Sequence, residues 1–497
     1  MEKINREKAN RILYLSLFIG YLFFNVILLI LHEPWRDEAN VWLMARELSP
    51  ATLFREIKYQ GHPCLWYLLV MPFAKAGLPF RTIEVLSFLI MGAGAWLFLW
   101  KAPLHSITKA FCLFSPIFTY FYPVVARNYC LIALLLIILA WQFPKRDTHP
   151  IRYGLLLGLL VQADTIAIAQ AGLLSAMWLL ESLYQCWKSR SFQLLKKVAA
   201  GIWIPAASLG LWVLQFFQVS DSPQFQVRDL GMREFLIEVK NFAYAIFIRM
   251  TGREQSFGLL FFVLCLAAFL VISVRVKNGW AMIVMTGSFL FQAAFSATVY
   301  QLHMWHYISL GFVFIWAVWV LCKQAQEKGL SDLVSKIGLG ALQLLLIVLA
   351  VCMFANWNSA NESSSLDMAL HGLYSDGENT AAYIRDNISP EELIISTDIP
   401  MASTVLAHLK DYEFYYAGNG QKETYADWSD EQSASIDYLE LLEWCRKTFP
   451  EKTEFYLLWS NESCVFNADA LEECQVLYQT DGQTVRGEEY KIYRIKL

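Results

Sequence analysis

The stretch PCLWYLLVMPFAKAGLP, residues 63–79, is apolar, but it is short for a membrane span and it contains Pro72 and Lys75. A helix needs about 20 apolar residues to cross the hydrocarbon core of a bilayer. The stretch could therefore cross a membrane, or it could lie along the membrane surface as an interfacial helix. Each crossing reverses the direction of the chain, so this choice decides on which side all later loops lie.

The composition of the whole chain indicates a membrane protein. Hydrophobic residues make up 56% of the 497 residues, charged residues make up 17%, and the mean hydropathy is +0.38. This is too little charge to cover the surface of a soluble protein. The ten cysteines form no zinc-finger spacing and no CxxC pair. We expect them to pack as small apolar side chains without chemistry of their own.

Eleven apolar runs approach the length of a membrane span. They lie at 11–31, 82–100, 110–125, 128–143, 153–163, 166–185, 198–218, 256–274, 280–299, 305–322 and 337–355. The short run at 153–163 is included because Asp164 interrupts an apolar stretch that is too long for one crossing. The first run is long enough to span and is followed by no small-residue cleavage pattern, so it is not expected to be a cleaved signal peptide.

The basic residues decide the side of residues 63–79, because Lys and Arg in short loops stay in the cytoplasm. If the stretch does not cross, one side of the membrane receives all of the basic clusters, at 1–11, 101–109, 145–152, 188–197, 275–277 and 323–336. If it crosses, every later cluster moves to the outer side. We therefore expect an outer juxtamembrane or re-entrant helix, a cytoplasmic N-terminus and an extracytoplasmic C-terminal domain in a multi-pass plasma-membrane protein.

The charge divides the chain into two predicted domains. Residues 1–356 contain 30 Lys and Arg against 18 Asp and Glu, whereas residues 357–497 contain 10 against 26. The first part is predicted to be an α-helical polytopic membrane domain of about 11 transmembrane helices plus juxtamembrane helices, with its first outer loop at 32–81. The second part alternates strand and helix patterns and ends in a possible closing hairpin, which predicts a soluble α/β domain. Its acidity is most simply that of a solvated surface.

The first outer loop contains two adjacent carboxylates, Asp37 and Glu38, within the first turn after Pro34. Acidic residues in a first helical turn stabilise the helix N-terminus, so the pair could be a charged cap on an interfacial helix. The pair could equally supply a general base and a metal ligand or hydrogen-bond partner at the mouth of the bundle, flanked by Trp35 and Trp42.

Two arginines and a histidine on the same side are candidates for binding an anion. His62 precedes Pro63 and could cap the next helix or face an anion. Arg127 opens a span, where an arginine is costly and suits a phosphate, although it could also be a snorkelling anchor. Arg81 has the same two interpretations, with the anchor favoured.

Further polar residues of the membrane part are also expected on the outer side. His303 and His306 are spaced i, i+3, which can place both on one helical face and would suit a metal, although no carboxylate accompanies them. Asp164 is a turn residue between two spans or a member of the site. A membrane-bound site on the outer face is the natural interpretation of the whole set.

Taken in order, these motifs resemble those of a known family. They are Asp37-Glu38 after the first span, His62-Pro63 before a short aromatic-rich helix, and Arg127-x-Tyr129 at an outer helix start. They resemble the polyprenyl-phosphate-sugar-dependent glycosyltransferases of the C superfamily. The nearest groups are the protein O-mannosyltransferases and the aminoarabinose transferases that modify lipid A. The resemblance covers roughly residues 10–130, with a looser match of helix order to about 355.

The resemblance implies roles for these residues. Asp37 would be the base that deprotonates the acceptor hydroxyl, and Glu38 would be its neighbour. His62 would contact the lipid phosphate, Arg81 and Arg127 would be further contacts to it as it leaves, and His306-Tyr307 resembles the Arg-Tyr near the start of a late span in many relatives. Tyr129, Asp164 and His303 complete the predicted substrate-binding set. Two positions depart from the family pattern, because Cys64 stands where a second proline is usual and Tyr129 or Cys130 stands about where the lipid A enzymes carry an acidic metal ligand. The metal therefore stays unknown, with no cofactor certain and a divalent metal possible.

The chemistry that these residues suit is sugar transfer from a polyprenyl phosphate to an extracytoplasmic acceptor hydroxyl, with the membrane lipid as surroundings and no nucleic acid. The phosphate is already a good leaving group, so one base and several cationic donors suffice. Inversion is expected, since no second carboxylate for a covalent intermediate is evident. A transporter or lipid-handling protein, with Asp37, Asp164 and the two histidines as a proton relay, is the alternative, and an inactive scaffold is a third hypothesis.

Overall fold

The computed structural model describes residues 2–216, 227–251, 255–359, 365–428, 436–460, 471 and 474–497. Up to Ser359 the described chain is helical. Its helices are α1 (Glu2–Leu31), α2 (Arg36–Glu47), α3 (Pro50–Glu56), α4 (Leu65–Lys75), α5 (Thr82–Lys101), α6 (Ser106–Leu113), α7 (Tyr129–Gln142), α8 (Pro150–Ala163), α9 (Ile168–Ser189), α10 (Gln193–Phe216), α11 (Met232–Thr251), α12 (Gln255–Arg275), α13 (Trp280–Thr298), α14 (Met304–Tyr307), α15 (Ser309–Glu327) and α16 (Leu333–Ser359).

Eight segments among the described residues are helices long and apolar enough to cross a membrane. They are Glu7–Leu31, Thr82–Lys101, Thr165–Ser189, Gln193–Phe216, Ser256–Arg275, Trp280–Thr298, Met304–Glu327 and Leu333–Trp357. Shorter apolar helices lie at Leu65–Lys75, Tyr129–Lys145 and Pro150–Ala163. The bundle turns apolar side chains outward, since Ile12, Ile19, Phe23 and Ile30 of α1 are each more than half exposed. Such a face suits lipid and not water.

The prediction of a spanning helix at 110–125 is wrong. Helix α6 ends at Leu113, and the chain then runs in turns and bends to Asn128. Pro116 and Pro123 explain the break, because proline removes a backbone donor and clashes with the preceding helical turn. The side chains of this segment are nevertheless almost all buried, and irregular backbone is tolerated at membrane depth only where protein surrounds it.

Polar side chains of neighbouring helices satisfy the backbone of this irregular segment. The Tyr21 hydroxyl of α1 donates to the Phe118 carbonyl oxygen at 3.0 Å, and the Ser87 hydroxyl of α5 donates to the Tyr122 carbonyl oxygen at 2.6 Å. These bonds replace the ones that a helix would have made, because a buried backbone group without a partner is costly. The segment is thereby fixed in place, and it leads directly to Arg127.

Residues 63–79 form the short helix α4, which has 11 residues. At 1.5 Å per residue this is about 16 Å, roughly half of the hydrocarbon thickness. The Lys75 ammonium at its end donates to the Arg46 carbonyl oxygen of α2 at 3.2 Å, and the turn at Gly77 lies against Lys410 of the C-terminal part. The helix is thus shorter than a spanning helix, and that it does not cross stays a prediction. Which face of a membrane it occupies stays a prediction.

Helix α11 lies between the predicted apolar runs at 198–218 and 256–274, where no spanning segment is predicted. Its charged residues keep its hydropathy low, yet Phe242 and Ile246 are buried against the bundle at helical spacing. The hydropathy pattern misses this helix because it is amphipathic and not uniformly apolar.

The C-terminal part contains an α/β unit, as predicted. Its described elements are α17 (Leu366–His371), α18 (Gly377–Asn387), β1 (Ile394–Ser396), α19 (Ile399–Ala407), β2 (Phe414–Tyr416), β3 (Lys422–Glu423), α20 (Tyr438–Thr448), β4 (Glu454–Ser460), β5 (Gln475–Gln479) and β6 (Tyr490–Lys496). They include a six-stranded sheet of order β3-β2-β1-β4-β6-β5 in which β1 is parallel to β2 and β4. Strands β5 and β6 form the expected antiparallel pair.

The C-terminal unit packs on α2, the helix that carries Asp37. Asn40 of α2 makes a two-way contact with Ala426, accepting its backbone N–H at 2.8 Å and donating to its carbonyl oxygen at 3.1 Å. The Tyr374 N–H donates to the Glu33 carboxylate at 2.9 Å. Because buried polar groups with good partners fix one arrangement, these bonds define how the unit sits on the bundle.

Glu488 is a buried carboxylate at this junction. It accepts the Arg36 N–H of α2 at 2.9 Å, the Ser375 hydroxyl at 2.6 Å and the Thr404 hydroxyl at 3.1 Å. Burial raises the pKa of Glu488 from 4.5 to about 7, although these hydrogen bonds act in the opposite direction. The carboxyl group thus changes its charge near neutral pH.

We expect the junction to lose stability as the pH rises from 5 to 8. An acid whose pKa is raised by folding stabilises the folded state fully below its unfolded pKa, and this contribution is lost as the pH passes the folded pKa. A difference of this size corresponds to about 3 kcal/mol in the free energy of unfolding. Thermal unfolding of the full-length protein in detergent, followed by tryptophan fluorescence, should show E488Q increasingly more stable than the wild type above pH 6. The exposed Glu443, changed to Gln, is the matched control. Equal pH slopes for wild type and E488Q would contradict the assignment.

Candidate functional site

A cavity of about 640 Å³ lies where the bundle meets the C-terminal unit. The start of α2, the loop before α4, the start of α7, the turn between α8 and α9 and the α13–α15 connection supply its walls, together with loops of the C-terminal unit. Its charged lining residues are Arg36, Asp37, Arg127, Asp164, Asp398 and Arg486. A concave site with several convergent polar groups, at the junction of two structural units, is a typical place for a ligand.

Four predicted residues form one connected chain along the wall of this cavity. The Asp37 Oδ2 atom lies 2.7 Å from Arg127 Nη1, Arg127 Nη2 lies 2.8 Å from His62 Nε2, and His62 Nδ1 lies 3.1 Å from Asp164 Oδ2. The fold therefore unites residues that are up to 127 positions apart in the sequence. Asp37 retains the most exposure of the four, with 28% of its side chain accessible.

The order of this chain defines the proton positions on His62. A guanidinium only donates hydrogen bonds, so His62 Nε2 accepts from Arg127. The ring proton then lies on Nδ1, which donates to Asp164. The His62 ring is held by Asp164 through one nitrogen and orients Arg127 through the other.

Asp164 holds the other end of this series of contacts in place. Besides His62, it accepts the Asn128 amide at 2.7 Å and the Ile166 N–H at 2.8 Å. Burial alone would raise the pKa of Asp164, but its contact with His62 and the Ile166 N–H hold that pKa below the usual value. Asp164 is thus an ionised group that holds His62. It also caps the turn before α9, as the turn interpretation expects, and its role in a site stays a prediction.

Arg127 is held at the cavity by the buried irregular segment that precedes α7. The electrostatic effect of Asp37 raises the pKa of Arg127, although burial acts against the charged form. The arginine is paired and does not extend to a membrane interface alone. Its position therefore favours a role in the site over the alternative of a snorkelling anchor.

Tyr129, His303 and His306 also line the cavity. The Tyr129 ring lies edge-on to His62, with centroids 6.0 Å apart, and to His306, with centroids 5.5 Å apart. His306 Nδ1 accepts the His303 N–H at 3.0 Å, so this nitrogen caps α14. That use leaves one ring nitrogen of His306 to face a ligand.

Two predicted site residues lie outside the cavity. Glu38 is fully buried, and it accepts the Trp35 N–H at 3.1 Å and the Ala126 N–H at 2.5 Å. It therefore caps α2 and ties it to the segment before Arg127. Arg81 donates to Glu378 at 3.0 Å and to the His32 carbonyl oxygen at 2.9 Å, which links the first outer loop to the C-terminal unit.

Glu38 also belongs to a group that could hold a metal ion. In the part of the chain that the structure describes, His32, Glu38 and Glu84 are a group of three whose possible ligand atoms lie within 4.8 Å of one another, and all three are buried. Two carboxylates and an imidazole are suitable zinc ligands. The histidine pair at 303 and 306 is not part of such a group among the described residues.

Arg486 is a lining residue that the sequence analysis missed. It comes from the C-terminal unit, where it lies 4.3 Å from the centre of the Trp35 ring and 5.0 Å from that of Trp305. Its Nε donates to the Tyr374 hydroxyl at 2.7 Å, and within the described residues it belongs to no ion pair. A single arginine in an acidic soluble domain gives no signal in the sequence, whereas one in an apolar span does.

Comparisons with known proteins give a structural likeness. No protein-family model and no curated protein matches the sequence. The structure is similar to that of ArnT from Cupriavidus metallidurans, which was solved with undecaprenyl phosphate bound. The likeness covers 97% of each chain at a TM-score of 0.44 and 12% sequence identity. ArnT is a lipid A aminoarabinose transferase, one of the two groups that the motifs resemble. At these values no residue of one chain can be equated with a residue of the other.

Proposed function

We propose that this protein is an integral membrane glycosyltransferase. It moves a sugar from a polyprenyl phosphate to an extracytoplasmic hydroxyl group, with inversion at the sugar carbon and with Asp37 as the general base. The observation that carries the proposal is the geometry of one cavity, in which an accessible carboxylate, Asp37, lies beside Arg127 and shares the cavity lining with Arg486, whose guanidinium lies over the Trp35 ring. One base and several cations are what displacement of a phosphate leaving group needs.

The cavity suggests how the step proceeds. Asp37 takes the proton of the acceptor hydroxyl, whose oxygen forms a bond to the sugar carbon while the bond from that carbon to the phosphate oxygen breaks. The electron pair leaves with the phosphate, whose added charge Arg127 and Arg486 stabilise. Asp164 is already occupied by His62, Asn128 and Ile166. This supports single displacement, because Asp164 is not free to act as a nucleophile.

The ion pair between Asp37 and Arg127 adds a control step. The Asp37 oxygen that pairs with Arg127 is engaged, so it is less available to the proton of an acceptor hydroxyl. An incoming lipid phosphate competes for Arg127, since a guanidinium binds phosphate oxygens through a planar fork. We infer that binding of the carrier releases Asp37 for proton abstraction, so the base becomes active only when the donor is present.

The same chain of residues argues against a proton relay. In that alternative a proton passes between Asp37 and Asp164, which are separated here by Arg127 and His62. A guanidinium does not give up its proton at accessible pH. A relay along this chain of contacts would have to pass through Arg127, which argues against that route, and a route through His303 and His306 is left to the experiment.

The proposal can be tested with the purified full-length protein in liposomes that contain radiolabelled polyprenyl-phosphate sugars of several types. Membranes of the producing cells supply the acceptor, and a trapped pH-sensitive dye reports proton flux in the same liposomes. We expect labelled acceptor and released polyprenyl phosphate for at least one sugar, without proton flux. Proton flux without turnover of any carrier would instead establish the transporter.

A further inference from the structure

A second cavity, of about 270 Å³, lies at the other end of the bundle. Helix α7 begins at the first cavity with Tyr129 and reaches the second with Ala140 and the turn that follows it. Helix α15 follows His306 of the first cavity and reaches the second with Lys323. The two cavities are therefore separated by the length of a helix and do not belong to one site.

The charges of the second cavity are mainly positive. Its lining includes four cations and two carboxylates, namely Arg146, Lys277, Lys323, Lys328, Glu181 and Glu327. Arg146 pairs with Glu181 at 2.8 Å, and Lys323 lies 3.8 Å from Glu327. Within the described residues Lys277 and Lys328 form no ion pair, so the cavity carries a net charge of about +2 at neutral pH. A cavity with this charge is suited to an anion.

Arg146 gives the cavity a fixed cationic wall. The side chain lies on the face of Phe143, with 4.1 Å between its guanidinium carbon and the ring centre, and it donates to the Phe143 carbonyl oxygen at 2.8 Å. Only 8% of the residue is exposed, and its Nε has no hydrogen-bond partner among the described residues. This guanidinium is already ordered in the folded protein, so binding of an anion costs little further side-chain entropy.

Lys277, which lines the second cavity, has an unusual backbone conformation. It lies in the turn between α12 and α13 with φ at 50°, a left-handed conformation that costs a non-glycine residue of order 1 kcal/mol. Glycine would occupy this position with less strain. The position therefore carries a lysine side chain at the expense of local stability, and this side chain faces the cavity.

We propose that the second cavity binds a phosphate group at the end of the bundle opposite to the first cavity. Arginine with lysines is the usual donor set for phosphate, and basic pockets between transmembrane helices bind the head groups of anionic lipids. The apolar Ala140, Phe143 and Val320 of the same wall suit a phosphate that is attached to lipid. A soluble phosphate shares the same chemistry, and the two sources are distinguished by experiment.

Two binding measurements on the full-length protein in neutral detergent test the proposal. Native mass spectrometry compares retention of phosphatidylglycerol with that of phosphatidylcholine, and equilibrium dialysis with labelled inorganic phosphate tests the soluble source. K277G removes the ammonium and relieves the backbone strain, so a loss of binding is not a consequence of misfolding. We expect K277G to weaken the binding about fivefold and K277G/K323Q about twentyfold.

Lys336 provides the matched control, because it is an exposed lysine of α16 near the same end of the bundle and does not line the cavity. K336A should bind as the wild type does. Preference for phosphatidylglycerol that falls in K277G establishes a lipid head-group site, and binding of inorganic phosphate alone that falls in K277G establishes a soluble-phosphate site. Absence of both, or binding that is equal in K277G and K336A, overturns the proposal.

Discussion

The D37N variant is expected to transfer sugar about 10³-fold more slowly than the wild type, because a positioned general base contributes on that scale. Asparagine keeps the shape of the side chain but cannot take the proton of the acceptor. Loss of the pair with Arg127 leaves a partly exposed arginine that water and the cavity can still solvate, so folding and membrane insertion should be retained. The measurement is the initial rate of transfer at saturating carrier, with carrier binding determined separately.

Measuring how tightly D37N binds the carrier distinguishes a loss of catalysis from a loss of carrier binding. D37N frees Arg127 from its ion pair, so the variant should bind polyprenyl phosphate as tightly as the wild type or more tightly. The matched control is E47Q on the same helix, since Glu47 is exposed and pairs only with the adjacent Arg46. Transfer by D37N at the rate of E47Q would show that Asp37 is not the base.

The sequence was informative about the site wherever a polar residue stood in apolar surroundings. Arg127 and Asp164 were singled out for this reason, since burying such groups in a membrane is costly unless they are used, whereas Asp37 and His62 were singled out as motifs of the first outer loop. The fold brings these four into one connected chain. That chain could not be derived beforehand, because the positions are distant in sequence and their contacts depend on how α2, α7 and the α8–α9 turn pack.

Two features of the fold were not predicted from the sequence, and each has a physical reason. Hydropathy reports how apolar the side chains are and gives no information on the backbone conformation. The segment after Leu113, which prolines interrupt, was therefore predicted to be a helix, although it is a buried segment without regular secondary structure. The role of Glu38 was obscured by its neighbour. Adjacent residues in a first helical turn point in different directions, and here Asp37 faces the cavity whereas Glu38 faces the interior. The prediction that both residues are catalytic did not take this geometry into account.

The C-terminal unit was expected to present a solvated acidic face, and Arg486 gives it a second role. This arginine extends from an acidic domain into the cavity and lies between tryptophan rings, where a cation is held without a carboxylate partner. A cation that is already ordered and not neutralised suits the developing charge of a leaving phosphate better than one that must first leave an ion pair. On the proposed function, the unit therefore contributes a residue to the site.

R486A is accordingly expected to lower kcat/KM for sugar transfer by about 10²-fold, the usual loss when one preorganised donor to a developing charge is removed. R486K keeps the charge but loses the planar fork and much of the ring stacking, so it should recover only part of the rate. The control is R494A in β6, where the arginine makes an exposed pair with Glu454 that contributes little to stability.

The separate effects of R486A on kcat and on KM identify what Arg486 does. If the guanidinium stabilises the leaving phosphate, kcat falls while the affinity for the carrier changes little, because the added charge appears only in the transition state. If it only holds the C-terminal unit on the bundle through Tyr374 and the tryptophans, R486A should instead lower the unfolding temperature, and R486K should not restore activity. A variant R486A with the kcat and KM of R494A would remove the C-terminal unit from the reaction altogether.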